Sequence, residues 1–107
     1  MAWIYLLLAG FLEIGWAYSM KKSEGFTLLV PSVVTIVAMI ASFALLSLAM
    51  RSLPLGTAYT IWTGIGAVGA FVVGVLFLGE AMTLLRLCAA LLIVAGIVLM
   101  KLSGPAI

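Results

Sequence analysis

Histidine is missing from this 107-residue chain, and cysteine occurs once, at Cys88. A lone cysteine rules out an intrachain disulfide. Without histidine or paired cysteines, a zinc site has nothing to build it, and neither a Ser-His-Asp nor a Cys-His set can be assembled. Charge is scarce too. Only 7% of residues are charged, and all three acids are glutamates: Glu13, Glu24 and Glu80. The five cations are scattered near the ends of apolar runs, with no basic stripe of the kind that tracks nucleic acid. Neither a metal nor an organic cofactor is expected. With imidazole absent, any proton handling falls to carboxylate, tyrosine or lysine.

What the chain has instead is apolar length. Hydrophobic residues make up 67% of it, far above the soluble average, so an integral membrane protein with one transmembrane domain over residues 1–107 is expected. Four runs are separated by short polar breaks, predicting an all-α fold of four transmembrane helices at about 3–20, 26–50, 55–78 and 84–102. Met1-Ala2-Trp3 lacks a basic leader and Glu13 interrupts the first run, so that run is expected to stay in the mature protein. With the N-terminus placed inside, Arg51 and Lys101 fall inside while Lys21, Lys22 and Arg86 fall outside. This near balance implies either weak orientation or insertion both ways. No internal repeat is evident, but two copies inserted oppositely would give the inverted architecture that many transporters build from repeats.

Glu13 is the anomaly. It lies roughly 15 Å along a helix from Trp3, about half a bilayer deep. Acids at that depth are costly and usually line ion or substrate pathways. Such an acid holds either a proton or a cation, and each displaces the other. Two copies in a dimer would titrate as a coupled pair, and competition between proton and cation for the acid is the simplest physical route to proton-coupled antiport.

Gly10, Glu13 and Trp16 share one helix face. Gly10 leaves room beside the acid for a ligand or a partner helix, and Trp16 has an indole N–H to donate to it. The plainer alternatives are a packing notch and an interface anchor. Tyr59 and Trp62, three apart in the third run, offer aromatic faces and a hydroxyl that could meet Glu13 or a cation, or simply pack inside a bundle. Ser42 is a lone hydroxyl whose plain alternative is bonding back to its own helix. Gly64, Gly66 and Gly69 form a G-x-G-x-x-G string, but inside a membrane span a dinucleotide site is rejected. Backbone compliance, permitting a kink, is the better reading. Gly66, Ala70 and Gly74 also form a small-residue stripe suited to close helix contact. The fourth run, rich in Ala and Gly, suggests a seam between subunits.

Ala9-Gly10 with Glu13 and Trp16, Gly25-Phe26-Thr27, Pro31-Ser32, and Gly56-Thr57-Ala58-Tyr59 through Ile61-Trp62-Thr63-Gly64-Ile65-Gly66-Ala67 resemble the small multidrug resistance family over nearly the whole chain. Trp16 and the Trp62–Ala67 stretch resemble its guanidinium-exporter subtype. The resemblance implies an antiparallel, dual-topology homodimer in the inner membrane that exchanges protons for guanidinium ions. Glu13 would bind both proton and substrate. Gly10 would line the pocket, and Trp16, Ser42, Tyr59 and Trp62 would organise it. The family usually carries alanine after the tyrosine, whereas this chain has Thr60, adding a hydroxyl and bulk there. Quaternary ammonium and polyaromatic cations therefore stand as a second substrate class, and a small oligomeric cation channel as a rival mechanism.

Overall fold

The structure is a computed structural model that describes residues 1–103. Its helices are α1 (Ala2–Lys22), α2 (Leu29–Ala49), α3 (Leu55–Phe77) and α4 (Leu84–Leu102). Each is long and apolar enough to cross a membrane. Among the described residues there is no strand. Helices suit oil because every backbone polar group is satisfied within the segment.

The breaks between helices have local causes. Ser23 is fully buried; its hydroxyl donates to the Met20 carbonyl (2.7 Å) and accepts from the Phe26 N–H (3.0 Å). Glu24, Gly25 and Phe26 all take positive φ, of 51°, 75° and 67°. That left-handed run holds the chain out of helix, so α2 starts at Leu29 and not near Phe26 as the apolar pattern predicts. Pro54 caps α3, where its fixed φ suits a helix start. Gly79 (φ 69°) follows the end of α3, and the Thr83 hydroxyl accepts from the Arg86 N–H (3.1 Å) to cap α4.

α1 packs against both α2 and α3, while α4 packs along α3 and reaches α1 only at its end, where Lys101 Nζ lies 4.6 Å from the centroid of the Trp3 ring. The result is a slab with Cα extents of 44 × 34 × 16 Å. Lipid tails are as apolar as leucine, so contact between helices depends on small residues that let backbones approach. The glycines show where this happens. A methyl group on Gly10 would stand 2.6 Å from Ile65 Cγ2, and one on Gly64 would stand 2.9 Å from Ile97 Cδ1. Gly69 receives Ile14 in the same way. α3 runs unbroken through residues 64–69, so in this structure these glycines act as seats for neighbouring side chains and do not interrupt the helix.

The tight core lies towards one end. Leu6 and Ala9 of α1 meet Leu46 and Ala49 of α2 and Ala58, Ile61 and Trp62 of α3, with Leu53 from the loop. Beyond Glu13, towards the other end of α1, the packing opens into cavities lined by Ile14, Ala17 and Tyr18. Glu13 stands at the boundary between the two regions.

Candidate functional site

Glu13 is half-buried on the α1 face that meets α3. Its carboxyl group occupies the space over Gly66, where any Cβ would fall on the carboxyl carbon, Oε1 and Cγ. Glycine at 66 leaves the acid the volume that a side chain would otherwise take. Oε1 is buried and has no hydrogen-bond partner. One turn on, the indole Nε1 of Trp16 is also buried and unpartnered. The bond from Trp16 to Glu13 that the spacing allows is therefore not made. One acceptor and one donor are left open in a region without bulk water, where an unmet polar group costs several kcal/mol. A proton or a cationic N–H donor would satisfy Oε1.

The other polar groups pair off. Trp62 Nε1 donates to Ser42 Oγ (3.1 Å), and Ser42 Oγ donates to the Ala9 carbonyl (2.7 Å). Ser42 thus joins three helices, bonding to α1 and not back to its own helix. Ala9 lies one turn before Glu13, so this chain of bonds fixes α1 beside the acid. Aromatic rings form a row from Trp16 to Phe43 (6.3 Å between centroids), Phe43 to Trp62 (5.7 Å) and Trp62 to Tyr59 (5.6 Å). The first two contacts are edge-on, a favoured aromatic geometry. Phe43 was not singled out from the sequence, although its place directly after Ser42 was the available signal.

Tyr59 is 52% exposed and makes no hydrogen bond to Glu13. With Thr60 and Thr63 it lines an open groove of about 420 Å³ between α3 and α4, whose α4 side carries Ile93 and Ile97. Thr60 therefore borders this groove and takes no part in the Ser42–Trp62 bond. Gly10 and Gly64 hold Ile65 and Ile97, and Gly69 holds Ile14. Of the expected site residues, Glu13, Trp16, Ser42, Trp62 and Gly66 converge on the α1–α2–α3 contact. Tyr59 and Thr60 stand at its α4 side.

A family model described as Small Multidrug Resistance protein matches residues 1–93. The chain belongs to the small multidrug resistance family. Among relatives of this small multidrug resistance protein, one from Citrobacter freundii named "Guanidinium exporter" is 59% identical over 103 residues, 96% of this chain and 98% of the relative. One of the same name from Salmonella typhimurium LT2 is 58% identical over 104 residues, 97% of this chain and 99% of the relative. Another of that name, from Escherichia coli K12, is 55% identical over 103 residues, 96% of this chain and 98% of the relative. Four spanning helices and this family make the chain a multi-pass membrane protein of a transporter family.

Proposed function

We propose that this small multidrug resistance protein exports guanidinium and small guanidinyl cations across the inner membrane in exchange for protons. It would work as an antiparallel, dual-topology homodimer. The names of its relatives support the substrate class. The observation that carries the coupling is the open Oε1 of Glu13, held over Gly66 between apolar helices. An ionised carboxylate in that setting is too costly to stand alone, so it takes up either a proton or a cation. Guanidinium suits it, being planar, permanently charged and able to present two parallel N–H donors to one carboxylate. Because proton and cation claim the same oxygens, the arrival of one releases the other.

The dimer is supported by α4, which has no buried residue and shows apolar side chains on most of its surface. It is also supported by the near balance of cations between the two ends of the helices. Adding lysines to the loop after α1 would fix one orientation, and activity should then fall.

The decisive test is purified protein in liposomes, with guanidinium and tetraalkylammonium uptake driven by a pH gradient. Guanidinium uptake that Glu13→Gln abolishes is the expected result. A variant that moves cations as well as the parent refutes the mechanism. Conduction without a proton gradient would show a channel. Preference for tetraalkylammonium would favour the second substrate class, for which the Tyr59–Thr60 groove beside α4 offers space.

A further inference from the structure

A cavity of about 350 Å³ lies beyond Glu13, between α1 at Ile14 and α3 at Ala67, and its walls stop short of the acid itself. It runs between Ala17 and Ala70 and opens at Lys21, Glu80 and Arg86. Glu80 repeats the arrangement of Glu13: its carboxyl group lies over Gly74 as that of Glu13 lies over Gly66. The two seats are eight residues apart on α3, or about 12 Å. The small-residue stripe of Gly66, Ala70 and Gly74 therefore cradles a carboxylate at each end instead of serving only helix contact. The main chain fixes the outer acid, since the Glu80 N–H donates to the Gly74 carbonyl (3.0 Å).

That outer carboxylate already faces a guanidinium group. Arg86 Nη2 stands 3.9 Å from Glu80 Oε1, and Arg86 Cζ lies 5.6 Å from the centroid of the Phe71 ring. Carboxylate and aromatic face together are what a planar cation needs. The pair is a single long contact between side chains 48% and 41% exposed, and such pairs hold weakly.

We propose that Glu80 and Phe71 form an outer docking site for guanidinium, in which Arg86 is an internal stand-in that the arriving cation displaces before moving inward to Glu13. The proposal deepens the export reading and rests on it. Displacement favours the free ion because it can approach the carboxylate with two parallel N–H bonds, where Arg86 makes one distant contact. Lys21, on the facing wall, keeps the hold weak, so the cation moves on.

The test compares KM and kcat for guanidinium uptake in liposomes between the parent, Glu80→Gln, Arg86→Gln and the double variant. Glu80→Gln should raise KM by roughly two- to fivefold, the factor that an exposed charge pair carries, with kcat little changed. Arg86→Gln should lower KM by a similar factor, and the gain should vanish in the double variant. A purely structural strap predicts that both single variants suffer alike. Equal-direction shifts, or unmoved KM values, therefore overturn the docking site while leaving the export reading intact. Should Glu80→Gln fail to fold, Glu80→Asp and Arg86→Gln decide instead: retained KM in the first and lowered KM in the second support the site, and any other pair overturns it. Parent protein that takes up guanidinium no better than Glu13→Gln overturns the export reading and this proposal together.

Discussion

Replacing Gly66 by alanine separates the role of the acid from the stability of the fold. In a helix interior the change from glycine to alanine stabilises by about 0.5–1 kcal/mol. Overpacking opposes it by typically about 1–3 kcal/mol. At Gly66 the obstacle is the far end of the Glu13 side chain, which can rotate away. The two effects should nearly cancel, leaving stability within about 1 kcal/mol of the parent. The displaced carboxylate, however, loses its place, and shifts of about an ångström disrupt forked binding. Guanidinium uptake should fall at least about tenfold, equivalent to about 1.4 kcal/mol of binding.

Two other glycines calibrate the result. At Gly10 the new methyl would meet Ile65 at Cγ2 and at Cβ (2.6 and 2.9 Å), and a β-branched side chain cannot swing clear. Gly10→Ala should therefore lose about 1–2 kcal/mol net. Gly15 has nothing within 4 Å of an added Cβ, so Gly15→Ala should be neutral or stabilising within the chain. Unfolding midpoints in detergent and pH-driven uptake in liposomes, measured side by side, give both axes. Gly66→Ala protein that transports within twofold of Gly15→Ala would refute the view that the seat positions the acid. Gly66→Ala protein as unstable as Gly10→Ala would show instead that Glu13 is locked in place by packing.

Three further outcomes are expected. A double-mutant cycle between Ser42→Ala and Trp62→Phe should give a coupling of about 0.6 kcal/mol, up to about 1.7, the range found for hydrogen bonds between membrane helices; additive losses would mean that the 3.1 Å bond contributes nothing. Thr83→Ala removes the cap of α4 and should cost about 0.5–2 kcal/mol, read as a lowered unfolding midpoint; an unchanged midpoint would refute this. Phe43→Leu should leave the fold intact but loosen Trp16 and Trp62, seen as a red shift in tryptophan emission; unchanged emission would show that the ring row does not shield the indoles.

Much of the fold was legible because a span of oil demands long apolar runs and charges at their ends. The start of α2 was not, since Phe26 fits an apolar run and nothing in hydropathy announces three successive positive φ values. The site divides along the same line. Glu13 stands out as an acid in the wrong medium, which needs no partner to be noticed. What lies opposite a residue does need one. The 3.6-residue period of α1 puts Trp16 beside Glu13, but it cannot reveal that the indole turns to Phe43 on α2. Nor can one helix show that Ser42 reaches Ala9, or that the glycines of α3 receive Ile14, Glu13 and Glu80. Small residues mark that something approaches, and only the packed structure says what.

The uneven packing of α1 has a mechanical consequence. Its first half is clamped at Leu6 and Ala9, while its far end borders open space. Measured from Ala9, Glu13 lies about 6 Å up the rod and Lys21 about 18 Å. Any tilt hinged at the clamp carries the rim three times as far as the acid. A wide displacement at the mouth thus corresponds to a slight one at the carboxylate.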